Sequence, residues 1–145
     1  LATLSSCELI HSHFDLGQDY AVGVGLDCIA EVSDQLLPPL EQNEKFFRLL
    51  LVTLEYLRKW RAAGLWPALT YFTLWAVRLS GLLPALRLSP DSRQVAEDML
   101  ARSLLEISPE GWSKARAGDL RQVLFRMIES HVERKLITPA YVEAL

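Results

Sequence analysis

Cysteine is scarce in this chain, which carries only Cys7 and Cys28 among its 145 residues. Small secreted domains that depend on disulfides carry many more, so a disulfide framework is excluded and reduced thiols in the cytoplasm are favoured. Long apolar runs are also missing. The best candidates, around 49–54 and 74–79, are bounded or broken by charged residues and fall far short of the roughly 18 uncharged residues of a membrane helix. With no secretion leader in the sequence, we expect a cytoplasmic protein without a membrane segment.

Positive charge is in deficit as well. Lysine and arginine number 15 against 18 acidic residues, for a formal net charge of −3. Proteins that bind nucleic acid over a broad surface are usually basic, because most of the affinity comes from cations that replace phosphate counterions. We therefore expect this chain by itself to bind DNA weakly.

Catalytic patterns are absent too. No Gly-x-Ser-x-Gly nucleophile elbow occurs, and the carboxylate pairs stand beside Lys or Arg on predicted exposed helix faces. Gly23-Val-Gly25 resembles a phosphate-binding loop only superficially, because Cys28 replaces the third glycine and no strand precedes the pair. We interpret these glycines as small residues at a helix–helix contact. The sequence predicts a protein that is not an enzyme.

Four potential metal ligands, Cys7, His11, His13 and Cys28, lie in the first third of the chain. On a helix Cys7 and His11 share a face, whereas His13 points away, which leaves at most three ligands where structural zinc takes four. Both cysteines also suit a buried helical face. We expect neither a metal nor any other cofactor.

What the sequence does contain is helical periodicity, with apolar residues at spacings of three and four and no convincing strand alternation. Proline and glycine separate the segments. The sequence predicts a single all-α domain, a compact bundle of about seven or eight helices without a zinc module. The predicted helices cover about 3–14, 19–36, 43–64, 67–80, a segment opened by Ser89-Pro90-Asp91 that carries Val95, Met99 and Leu100, a short segment from Ser108-Pro109 that carries Trp112, 118–135 and 138–145.

Several local details follow from the same patterns. Asn43 is predicted to cap the third helix, and Gly64 to end it in the left-handed conformation. The short turn before Pro67 should make the third and fourth helices antiparallel neighbours. The fourth helix is apolar nearly all round and should therefore be central. His131 lies beside Met127 and Ile128 on an apolar stripe, so we expect it to be partly buried and hydrogen-bonded.

The most suggestive surface feature is the basic run Arg58-Lys59-Trp60-Arg61, with Trp66 close behind it. One interpretation is an anion-binding lip, in which guanidinium groups and an indole hold a carboxylate or phosphate. The other is purely structural, because cations in the last turn of a helix are stabilised by the negative end of its dipole. The sequence leaves both open.

Three stretches in order carry a family resemblance. They are Ile29–Pro38 with Asn43–Phe46 and the following Leu50–Leu57; Phe72-Thr-Leu-Trp-Ala-Val-Arg-Leu-Ser-Gly-Leu-Leu-Pro84; and His131-Val-Glu-Arg-Lys-Leu-Ile-Thr138. Together they resemble the helical C-terminal part of the RecO family of bacterial DNA recombination and repair mediators. The second is similar to the family's Phe-Glu-Leu-Arg-Leu-Leu-x-x-x-Gly-Tyr-x-Pro signature. Thr73 stands where the family favours Glu.

The resemblance implies a non-enzymatic mediator with an N-terminal OB-fold barrel before the helical part. We expect this chain to be a fragment without that barrel, through which most DNA contact would occur. Many members carry a cysteine-rich zinc module after the signature, but 82–91 contains no cysteine. The implied partners are RecR and the acidic, Phe-terminated tail of the single-stranded-DNA-binding protein, with RecA loading as the outcome. The alternative is a helical scaffold or regulatory domain unrelated to DNA repair.

For that tail we hypothesise a docking site at the junction of the third and fourth helices. An apolar hole would take the phenylalanine ring, and cations would bind the carboxylates. Some family members place a basic residue used for partner binding where this chain has Thr70, so other side chains would have to supply the charge. The hypothesised site comprises Leu57, Arg58, Arg61, Trp66, Leu69 and Thr70.

The missing cysteine module predicts a metal-free fold. Elemental analysis of protein purified without chelator should therefore show no stoichiometric zinc or iron. A metal content of one ion per chain would contradict this expectation.

Overall fold

A computed structural model describes residues 19–36, 44–82 and 87–145 of the chain. Within these ranges the secondary structure is entirely helical, as predicted. The α-helices are α1 (Tyr20–Leu36), α2 (Glu44–Trp60), α3 (Leu65–Leu79), α4 (Pro90–Ala101), α5 (Gly118–Val132) and α6 (Thr138–Glu143), and 3-10 segments cover Arg61–Gly64 and Leu104–Glu106.

The predicted count of seven or eight helices is not matched in the described residues. They form five helices of 12 to 17 residues and a terminal one of six. The helix predicted over 3–14 and the Asn43 cap lie outside the described residues. The starts predicted at Ser89-Pro90 and Thr138-Pro139 are confirmed, since α4 begins at Pro90 with Ser89 as its N-cap and α6 begins at Thr138.

Helix α3 occupies the centre of the bundle and contacts α1, α2, α4 and α5. Eleven of its fifteen residues are buried. A helix that is apolar around its whole circumference can satisfy the hydrophobic effect only with neighbours on every side. The prediction of a central fourth helix is therefore confirmed.

Helix α1 approaches α3 closely at Gly25. A Cβ atom there would lie 2.4 Å from Leu65 Cδ1, so the glycine permits the contact. A Cβ atom at Gly23 would meet nothing within 4 Å. The interpretation of the pair as a helix–helix contact is therefore confirmed for Gly25 only. Tyr20, the first residue of α1, is 76% exposed although it is a large aromatic side chain.

The junction between α2 and α3 differs from its prediction. Gly64 has φ −92°, and it is Arg61 that adopts the left-handed conformation, with φ 53°. Gly64 is required for another reason. A Cβ atom there would lie 2.8 Å from Trp60 Cβ and 2.9 Å from Tyr56 Cε2, so only glycine lets the chain turn this tightly against α2.

The prediction of a short helix that starts at Ser108-Pro109 is also wrong. Residues 108–117 form turns, with Gly111 at φ 78° and Ala117 at φ 58°, values that do not continue a right-handed helix. The preceding segment is held by the Tyr56 hydroxyl, which donates to the Ile107 carbonyl at 2.7 Å. Tertiary anchoring of this kind does not appear in local sequence periodicity.

His131 is exposed, contrary to the expectation of a partly buried side chain. The buried positions of α5 are Leu120, Arg121, Leu124, Phe125 and Ile128, and Glu133 ends the helix at φ 56°. The apolar face therefore ends before His131, whose side chain lies in the last turn beyond the core.

The last helix is capped by a residue of the first. The Glu31 carboxylate accepts hydrogen bonds from the Ile137 N–H at 2.9 Å, from the Thr138 N–H at 2.9 Å and from the Thr138 hydroxyl. Burial acts to raise the pKa of Glu31, but these bonds and nearby Arg134 outweigh it and lower the pKa below its ordinary value. One carboxylate thus joins helices that lie more than a hundred residues apart in sequence.

Replacing Glu31 with Gln should lower the free energy of unfolding by about 1 kcal/mol at pH 7, the typical cost of a weakened N-cap. Because the folded-state pKa is lowered, this contribution is complete above the ordinary pKa of 4.5 and is lost as the pH falls through the folded value. Urea unfolding at pH 7 and at mildly acid pH tests this, with the exposed Glu97→Gln as the control. A gap between wild type and variant that does not narrow in acid would contradict the capping role.

Candidate partner-binding surfaces

The six residues of the hypothesised docking site do not share one surface. Arg58 and Arg61 are exposed and Trp66 is half-buried. The side chains of Leu57, Leu69 and Thr70 have no exposed area at all. Both leucines belong to the buried hydrophobic core, so they cannot line an open hole for a phenylalanine ring. Whether a partner contacts Arg58, Arg61 or Trp66 stays a prediction.

Trp66 and Thr70 belong instead to a buried cluster around Arg121, which the sequence interpretation missed. The Arg121 guanidinium lies 4.8 Å from the Trp66 ring. Its Nη1 donates to Thr70 Oγ1 at 3.1 Å and to the Arg116 carbonyl at 2.9 Å, and its Nη2 donates to the Lys114 carbonyl. The helical spacing could have indicated that Arg121 is buried, because it stands four residues before buried Phe125 and three before buried Leu124.

Arg121 is fully buried, and no carboxylate of the described residues forms an ion pair with it. Desolvation lowers its pKa, and the negative charges of Glu143 and Asp119 partly oppose that shift. Arginine nonetheless keeps its charge in proteins. Carbonyl oxygens, one hydroxyl and an indole face therefore stabilise this cation in place of a carboxylate, a structural role that leaves it inaccessible to partners.

The basic run at the end of α2 remains on the surface. Arg58 and Lys59 are exposed, and Trp60 is 38% exposed. The Lys59 Nζ atom lies 5.0 Å from the centroid of the Trp60 ring, a cation–π contact that takes up part of this charge within the run itself.

A groove of about 320 Å³ lies between α2 and α3, close to the 3-10 segment that follows α4. We call it the apolar groove. Its lining residues are Lys45, Arg48, Leu49, Val52, Tyr71, Trp75, Leu79 and Ser103. Trp75 is fixed in place because its Nε1 donates to the Met99 carbonyl at 3.0 Å, and its half-buried ring lines the groove. The groove is thus a rigid apolar surface of the kind that binds an apolar side chain.

Two cations line the apolar groove and a third lies beside it. Lys45 and Arg48 are exposed on the α2 side, where Arg48 Nη2 also pairs with Glu44 Oε1 at 2.6 Å. On the α3 side the Arg78 guanidinium lies 5.4 Å from the Trp75 ring centroid. This groove brings together apolar surface and positive charge, the combination that the sequence hypothesis placed at the α2–α3 junction. The sequence could have indicated this groove, because the spacings of three and four between Lys45, Arg48 and Leu49 place these residues on one face of a helix.

No group of three or more potential metal ligands lies together in the described residues, and Cys7, His11 and His13 fall outside them. Cys28 is a buried free thiol whose pKa burial raises to about 12, so it is a poor nucleophile. In the same residues no helix is long and apolar enough to span a bilayer.

Comparison with known proteins finds one clear relative. The chain is 31% identical, over 179 aligned positions, to the DNA repair protein RecO of Koribacter versatilis (strain Ellin345). The match takes in 100% of this chain and 72% of the relative. No family model matches the chain. No solved structure matches it either.

Replacing Arg121 with Ala should lower the free energy of unfolding by about 3 kcal/mol or more, because it leaves buried acceptors without donors and a void beside Trp66. Urea unfolding followed by tryptophan fluorescence measures the change. Arg126→Ala, an exposed arginine on the same helix, is the matched control and should change stability by less than about 0.5 kcal/mol. Equal effects of the two variants would show that Arg121 does not hold the bundle together.

Proposed function

This chain belongs to the RecO family, and on that basis we propose that it is the protein-interaction domain of a recombination mediator in DNA repair. In this proposal it is cytoplasmic and catalyses no reaction of its own. It binds the acidic, Phe-terminated tail of the single-stranded-DNA-binding protein and also RecR, and so helps to load RecA. DNA contact falls mainly to an OB-fold barrel outside this chain.

The apolar groove is the observation that carries the proposal. A tail that ends in phenylalanine needs an apolar surface for its ring and cations for its terminal and side-chain carboxylates. Trp75, Val52 and Leu79 offer the first, and Lys45 and Arg48 the second. The groove lies between packed helices whose core contacts hold its walls in place, so little ordering is needed on binding.

The α2–α3 junction is the weaker of the two docking candidates. Arg58 and Arg61 offer charge there, but Leu57 and Leu69, the intended walls of the hole, are buried in the core. In the proposal, the ring of the tail therefore occupies the apolar groove, and Arg58 and Arg61 contribute at most long-range attraction, which salt weakens.

A matched pair of double variants tests the site. Lys45→Ala/Arg48→Ala should weaken binding of the tail peptide about tenfold, the effect of losing one to two partly exposed charge-assisted bonds. Arg58→Ala/Arg61→Ala should change it about twofold or less, because screened charges at a distance contribute little. Fluorescence titration of a labelled peptide gives both affinities, and thermal melts check that each variant is folded.

The reverse order of effects would move the docking site to the α2–α3 junction. An absence of wild-type binding would favour the alternative function, a helical scaffold or regulatory domain with no part in DNA repair.

A separate prediction concerns DNA binding, which the proposal assigns mainly to the barrel. With a net charge of −3, this chain alone should bind single-stranded DNA only weakly, and added salt should abolish the binding. Fluorescence anisotropy with a labelled oligonucleotide at two salt concentrations measures this. Micromolar or tighter affinity at physiological salt would show that the helical domain carries its own DNA-binding surface.

A further inference from the structure

The segment Leu136–Leu145, which contains α6, lies across α1, and we call it the strap. Among the helices, α6 packs mainly against α1. The strap buries only two of its side chains, Leu136 and Val142, whereas Ile137 and Tyr141 are 67% and 57% exposed. Two of its large apolar side chains therefore gain little from staying docked, because water already reaches most of their surface.

The helix within the strap is too short to be stable by itself. It has six residues, and isolated helices of that length do not persist in water. Glu133 adopts φ 56° where α5 ends, so the strap does not continue that longer helix. Attachment to the rest of the bundle is therefore what keeps α6 helical.

The polar attachments of the strap are few and lie at its two ends. At the start, Glu31 caps α6 and Glu129 Oε2 accepts from the Leu136 N–H at 2.8 Å. At the other end, the Lys114 ammonium donates to the Glu143 carbonyl. No salt bridge joins the strap to the bundle within the described ranges. Few bonds would therefore have to break for the strap to leave α1.

Cys28 lies on α1 in contact with the strap. Its thiol is buried, and the Thr138 side chain forms a hydrogen bond with it. Burial keeps reagents away from this thiol and raises its pKa to about 12, so both effects suppress its reactivity while the strap is docked. Departure of the strap would remove the Thr138 contact and part of the cover, which makes the reactivity of Cys28 a measure of opening.

We propose that the strap opens as a unit while the rest of the bundle stays folded, and that it thereby covers or uncovers the face of α1 that carries Glu31 and Cys28. Segments with few buried apolar contacts open at a lower free-energy cost than global unfolding. The strap meets that description, whereas α3 has eleven of its fifteen residues buried. The strap does not line the apolar groove, so its opening is independent of the proposed docking function.

Hydrogen exchange followed by NMR on the full chain tests the opening. The Thr138 and Ala144 amides, at the two ends of α6, should share one protection factor, at least tenfold lower than those of the α3 amides. Their exchange should depend weakly on urea, because opening exposes little surface, whereas α3 exchange should follow the steep slope of global unfolding. A gradient of protection along the strap, or protection and urea dependence equal to those of α3, would overturn the proposal.

Glu31→Gln tests whether the two ends move together. The variant weakens the cap at the start of α6, and the readout is the Ala144 amide at the far end. A loss of about 1 kcal/mol corresponds to about fivefold faster exchange of that amide. The exposed Glu97→Gln is the control and should leave it unchanged. An effect confined to the Ile137 and Thr138 amides would show that only the start of the strap frays, which contradicts opening as a unit.

A second readout uses Cys28 as the single thiol, in a Cys7→Ser background, labelled with a maleimide. Lys114→Met releases the far end of the strap and should speed labelling about twofold, the effect of losing one exposed charge-assisted bond. Val95→Ala creates a small void in the core at α4, so it should speed α3 exchange and leave Cys28 labelling unchanged. If Val95→Ala instead speeds both equally, Cys28 is reached only through global unfolding and the proposal is wrong.

Discussion

The buried guanidinium of Arg121 is the interaction on which the arrangement of this bundle depends. It lies against Trp66 and binds Thr70 of α3, while its other donors hold two carbonyls of the turn that precedes α5. Burying a cation without a carboxylate is costly, and removing any of these acceptors would leave the charge less compensated still. The central helix, the 114–117 turn and α5 are therefore constrained to one relative position.

The apolar groove flanks this constrained frame. The apolar groove uses α3 residues that stand one, five and nine positions after Thr70 in the chain. Trp75 connects the groove to the core, because its ring lines the groove and its Nε1 donates to the Met99 carbonyl. Packing that stabilises the core thus positions the surface side chains, so little ordering would be needed when a partner binds.

Membership of the RecO family and this surface chemistry are consistent with a binding role. What the surface offers is apolar area beside cations, and that combination recognises acidic segments with apolar anchors. The docking proposal depends on that chemistry.

Local sequence determined the helical class, the central place of α3 and the starts of α4 and α6, because periodicity, proline and capping act within a few residues. It could not predict the role of Gly64, which depends on Trp60 about one turn earlier and on Tyr56 about two turns earlier. Nor could it predict the turns after Ile107, which the Tyr56 hydroxyl of α2 anchors. It also assigned Leu57 and Leu69 to a surface, since an apolar residue has the same sequence pattern in a groove and in a core. Only tertiary packing decides which apolar side chains remain open to a partner, because accessibility depends on neighbours that are distant in sequence.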